Sequence, residues 1–152
     1  MPTVKVAADC AAAVENAFAY VNDYRNLPKY ITEVHAFTPV TEQDAGLGAI
    51  FDTDFKLGPV ALSSQLEIVR WEQGRLLAVR SRRGFEIEST FEFHPRNERL
   101  CTVDAVVELR VPGGLAGKML GKTIEPFIKI AVKHSTHNLT TQIEEYQRSL
   151  EG

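Results

Sequence analysis

Phe85-Glu86-Ile87-Glu88-Ser89-Thr90-Phe91-Glu92-Phe93 separates into one set, Phe85, Ile87, Ser89, Phe91 and Phe93, and an alternating acidic or hydroxylated set, Glu86, Glu88, Thr90 and Glu92. Successive side chains of a strand point to opposite faces, so this two-residue period describes a strand with one apolar and one wet face. The same sorting extends in both directions along the chain. Phe51, Thr53 and Phe55 fall opposite Asp52, Asp54 and Lys56, while Val103, Ala105, Val107 and Leu109 fall opposite Asp104, Glu108 and Arg110. Strands are predicted over residues 34–41, 49–57, 60–71, 75–83, 85–94 and 100–111. The connectors Gly58-Pro59, Glu72-Gln73-Gly74 and Gly84 are short enough to imply an antiparallel meander.

Upstream, Val4-Lys5-Val6-Ala7 alternates like a further strand, which makes about seven. Asp9 is expected to cap a helix from Cys10 to Val21, with Val14, Phe18 and Val21 as its buried stripe. Residues 22–30 read as a turn and a second short helix with Pro28 in its first turn. Downstream, the spacing becomes helical: Leu120, Ile124, Phe127, Ala131, Leu139, Ile143, Tyr146 and Leu150 form one broad stripe. Pro126 is expected to kink that helix. Gly113, Gly114, Gly117 and Gly121 weaken its start, which suits either a lid over a cavity or close approach to the sheet. The fold class is α+β: a sheet with one greasy face, covered by one long helix, so that a cavity can lie between them.

The composition narrows the function. The 152 residues are expected to form one domain, 1–152, with a sizeable core. Twenty acidic against seventeen basic residues leave a net charge of -3, so nucleic acid is not an expected partner. There is neither a contiguous basic block for an acidic membrane nor an apolar run near the roughly 20 residues that cross a bilayer, and no stable membrane insertion is expected. The first residues lack the pattern of a secretory signal, and Cys10 and Cys101 lack CxxC spacing; a cytoplasmic location with reduced thiols is expected.

The order of parts resembles the START-like, or helix-grip, superfamily, which includes Bet v 1-type proteins and bacterial polyketide cyclase/dehydrase-like proteins. The resemblance is carried by Val4-Lys5-Val6, by the run from Ala17 to Tyr30, by Gly46-Leu47-Gly48, and by Val111-Pro112-Gly113-Gly114 leading into the last helix. It implies a curved antiparallel sheet wrapped around the C-terminal helix, with two short helices between the first two strands. The superfamily holds lipid carriers, quinone-binding proteins and aromatase/cyclases, so the fold alone does not imply an enzyme.

No nucleophile elbow, phosphate loop or HExxH pattern is present. His134 and His137 lie three apart on the last helix without an evident third ligand, and neither a metal nor a cofactor is expected. Trp71 reads as a plug at the end of the sheet or as a piece of cavity wall. The expected ligand contacts are Phe51, Thr53, Phe55, Ser64, Leu66, Ser81, Ser89, Phe91, Phe93, Phe127, His134 and Asn138. The function they suggest is capture or transport of a hydrophobic small molecule such as a lipid, isoprenoid, quinone or aromatic polyketide-like compound. The alternatives are a cyclase, aromatase or dehydratase acting on a chain held in the same cavity, with no catalytic residue identified, and a protein-interaction module with an unknown partner.

Overall fold

Each predicted strand is present, and the order of elements is β1 (Thr3–Cys10), α1 (Val14–Asn22), a 3-10 turn (Tyr24–Asn26), α2 (Leu27–Tyr30), β2 (Val34–Pro39), β3 (Ile50–Leu57), β4 (Val60–Glu72), β5 (Leu76–Gly84), β6 (Glu86–Asn97), β7 (Leu100–Arg110) and α3 (Gly114–Glu151). The structure is a computed structural model and describes residues 3–110 and 114–151; Val111, expected to end a strand, and Gly113 of the glycine-rich segment lie outside them. All seven strands pair antiparallel in the order β1-β7-β6-β5-β4-β3-β2. The two edge strands, β1 and β2, are thus neighbours in sequence, and α1 and α2 bridge the opening between them.

The outer face is wet and cross-paired. Arg80 meets Glu88 of β6 at 3.4 Å, as the register of β5 and β6 dictates, whereas Arg82 turns the other way to Glu67 of β4 at 3.5 Å. These exposed pairs contribute about 0.2–1 kcal/mol each. The β4–β5 ladder slips twice, between Gln65 and Leu66 and between Ile68 and Arg70. Such bulges bend a strand and raise its twist, which is how a meander comes to curve around a helix.

Gly84 sits where β5 turns into β6, with φ at 81°, and a Cβ there would lie 2.3 Å from the Ser63 carbonyl oxygen. Gly74, at φ 74°, has no atom within 4 Å of the corresponding position. Left-handed backbone alone costs about 1–2 kcal/mol for a residue with a side chain. Gly74→Ala is expected to cost that much, and Gly84→Ala at least twice as much because backbone must also move; urea midpoints of the two variants check the ratio.

Helix α1 departs from expectation at its start. The first strand runs on to Cys10, and the helix begins only at Val14, with Ala13 at its N-cap and no side-chain cap. Asp9 stays in the strand and accepts the Thr102 hydroxyl at 2.8 Å. The N–H groups ahead of α1 are satisfied by α3 instead: Ala11 donates to Glu144 Oε2 at 2.8 Å and Ala13 to Gln147 Oε1 at 3.1 Å. A cap supplied from some 130 residues away removes the need for a local one.

Helix α3 continues through Pro126 as one element. Gly117 on it is buried and Gly121 half-buried. Cys10 and Cys101 face each other across β1 and β7, fully buried and free. A shared hydrogen bond and burial push the Cys10 thiol well above its ordinary range. Because both thiols are fully buried, neither is expected to react with a disulfide reagent before global unfolding, so a denaturant series of thiol titrations should follow the unfolding curve.

Candidate functional site: an apolar cavity under the long helix

The apolar faces do not close into a continuous core. One cluster, built on Phe18, Tyr30, Phe93, Val103 and Ile143, fills the α1 end. A second, of Leu57, Leu62, Leu109, Ile124 and Ile128, joins the first half of α3 to the β3–β4 hairpin, and a third, of Ala49, Phe51 and Ile68, lies under β3 and β4. Between them remains a cavity of about 220 Å³. Its walls come from the inward faces of β2 to β7, from α1 and α2, and from one stripe of α3: Ile128, Ala131, Val132, Ser135, Thr136 and Leu139.

The cavity takes in Phe51, Thr53, Phe55, Leu66, Ser89 and Phe91 of the expected contacts and leaves the other six elsewhere. Ser64 points inward but spends its hydroxyl on the carbonyls of Arg83 and Phe85, at 3.1 and 3.0 Å, and pins the β5–β6 corner. Ser81 accepts the Ile87 N–H at 2.9 Å in the same corner. Phe93, two residues beyond Phe91, packs edge-on against Phe18 with centroids 5.3 Å apart. Phe127 is 38% exposed, and its ring lies over Gly58 at the hairpin tip. His134 is exposed and Asn138 half-buried, both to the side of the lining stripe. Trp71 is a plug: it stacks edge-on against Phe18 and donates its indole N–H to Asn22 Oδ1 at 2.9 Å.

The stripe on α3 explains two of these placements. Ala131 and Leu139 are eight residues apart, and the helical repeat puts Ser135 midway between them. His134 and Asn138 are each one residue short of that line, and about 100° around the helix. Spacing alone points to Ser135; the chemical appeal of a histidine points away from it.

Part of the polar lining is already engaged. Thr53 donates to the Ala36 carbonyl at 3.0 Å and Thr136 to that of Val132 at 2.7 Å. Burial pushes the Tyr30 phenol up, so it is a donor and not a base at neutral pH. Glu33, between α2 and β2, is among the described residues the only one of the lining with a formal charge. Its Oε2 accepts from Thr32 at 3.2 Å, while Oε1 is the one buried side-chain nitrogen or oxygen without a hydrogen-bond partner among the described residues. Nothing in the local sequence marks Glu33, because its place depends on the bridge between the two edge strands.

On the outer face of β6 and β7, far from these groups in the layering, His94 Nε2 lies 2.9 Å from Asp104 and 3.5 Å from Glu92. These three are the one His, Cys, Asp and Glu cluster among the described residues compact enough for a metal, and each is exposed or half-buried. His134 and His137 are not part of it.

A curved seven-stranded antiparallel sheet, a long C-terminal helix laid in its concave face and two short helices after the first strand define the helix-grip fold. The chain belongs to the family described as polyketide cyclase / dehydrase and lipid transport, whose model matches residues 1–144. Among solved structures it is similar to a protein of Thermus thermophilus, at 19% identity and a TM-score of 0.79 over 93% of this chain and 97% of that one. A START superfamily protein from Mycobacterium smegmatis matches at 14% identity and 0.70, covering 97% and 98%. Norcoclaurine synthase from Thalictrum flavum, solved with dopamine and hydroxybenzaldehyde, matches at 16% and 0.68, covering 95% and 87%. No curated protein matches the chain. At these identities the likeness is one of fold.

Proposed function

We propose that the protein captures and carries a hydrophobic small molecule in the cavity beneath α3. The observation that carries this reading is the cavity itself, about 220 Å³ walled by apolar side chains from nearly every element of a fold whose family includes lipid transport. Transfer of apolar ligand surface from water, at about 25 cal/mol per Å², supplies the driving force. The hydroxyls of Ser89 and Ser135 and the Glu33 carboxyl are among the groups available to orient a polar end of the ligand. The two buried free thiols suit work in the cytoplasm.

Native mass spectrometry of the protein purified from its own host, compared with its denatured mass, tests the reading. A retained small molecule is expected; failure to retain one, together with no saturable uptake of an uncharged dye such as N-phenyl-1-naphthylamine, would sink it.

A further inference from the structure

Large exposed hydrophobic side chains are few among the described residues, and three of the six, Met119, Phe127 and Ile130, stand on the first half of α3. At 100° per residue, Met119, Thr123, Pro126 and Ile130 fall within about 60° of one another, on the side of α3 opposite the cavity-lining Ile128 and Ser135. All four are exposed, with Met119 at 64% and Ile130 at 65%. The polar break in the strip is masked, because the Thr123 hydroxyl donates back to the Met119 carbonyl at 3.1 Å. Phe127 continues the apolar surface sideways to the hairpin tip at Gly58, beside exposed Pro59.

Charge follows the same geometry. Lys118, Lys122, Lys129 and Lys133 are all exposed, and their helical angles gather them along one flank of the strip. Against them the segment from 118 to 133 holds a single acid, Glu125, which sits 3.6 Å from Lys129. Four basic and one acidic residue make a local charge of +3 in a chain whose total is -3, so the rest of the molecule carries about -6. The sequence contains no contiguous basic block; the helix assembles one from residues spread over sixteen positions.

We infer that this face of α3 docks on an anionic lipid surface, with the lysines against the headgroups and Met119, Phe127 and Ile130 in the interface. An apolar strip flanked by lysines on a helix is the pattern that lies in a membrane plane rather than across it, and no helix of the described residues is long and apolar enough to span one. An anionic bilayer is the occupant that fits both halves of the face, because a protein partner would have to supply an acidic rim and an apolar ridge in register. Docking there sets the opposite side of the same helix, the cavity's roof, directly above the bilayer in which an apolar ligand would be dissolved. The inference stands on the helix face and not on what the cavity holds.

The test is sedimentation of the full chain with vesicles of phosphatidylcholine alone and of phosphatidylcholine with an equal part of phosphatidylglycerol. Binding is expected only with the anionic lipid, and it should weaken steeply as salt rises, since each lysine near such a surface is worth about fivefold. Met119→Asp combined with Ile130→Asp should cut vesicle binding about tenfold or more, and so should Lys118→Gln combined with Lys122→Gln. Both pairs should leave dye uptake and the thermal melt unchanged, which separates this result from failure of the cavity reading. Equal binding to both vesicle types, no binding to either, or variants that bind like the parent would overturn the inference. So would a concentration-dependent dimer that Ile130→Asp dissociates, which would assign the face to a second copy of the chain.

Discussion

Ala105→Trp is expected to abolish uptake of N-phenyl-1-naphthylamine, weakening it about a hundredfold or more, a loss of roughly 2.8 kcal/mol, while leaving the urea midpoint unmoved or raised. Ala105 lies in β7 between Val6 of β1 and Phe91 of β6, and its buried methyl faces the cavity. An indole built on that Cβ projects from the sheet into the space beneath α3. A carrier's cavity is empty of protein atoms, so the added ring occupies the volume the ligand needs and gains contacts that the apo protein lacks.

The sign of the stability change makes the experiment decisive. In a core packed to normal density, an inserted ring forces neighbours off their rotamers and costs about 1–3 kcal/mol or more. A variant that neither binds dye nor loses stability has filled a hole; one that unfolds early has been overpacked. Unchanged dye binding in a stable Ala105→Trp would place the dye elsewhere and defeat the assignment of the cavity as the site.

The two-residue period from Phe85 to Phe93 was enough to sort the sheet's faces, because burial on one side of a strand is written in every second residue. It did not say how far along the strand the hollow extends, so Phe91 on its wall and Phe93 in the solid core read alike. The helical stripe is legible in the same way except where polar residues interrupt it: Ser135 and Thr136 face the cavity in that gap, and His134 and Asn138 lie to its side. What local pattern could not carry were contacts made across the chain. Asp9 has the chemistry of a cap, yet Glu144 and Gln147 already hold the N–H groups ahead of α1. Glu33 reaches the cavity because β1 and β2 are opposite edges of one sheet, a fact of topology rather than of spacing.

The adjacent inward phenylalanines of β6 offer the sharpest separation of wall from core. Phe93 is 1% exposed, and it packs against Phe18, which in turn meets Trp71 at 5.8 Å. Phe93→Ala removes a ring from a site closed on every side and is expected to cost about 3–5 kcal/mol, a fall of about 6–20 °C in Tm. The folded fraction should still bind dye with nearly the parent affinity, because the lost ring does not face the cavity. Phe91 is half-buried with one side already against empty space. Its ring has fewer partners to lose, so Phe91→Ala should cost less than half as much stability, yet it removes apolar wall from the site and should weaken the dye severalfold. Thermal melts and dye titrations on both variants therefore ought to rank them in opposite orders. If Phe93→Ala instead weakened the dye more than Phe91→Ala did, the cavity would have to extend to the α1 end, into the cluster around Phe18.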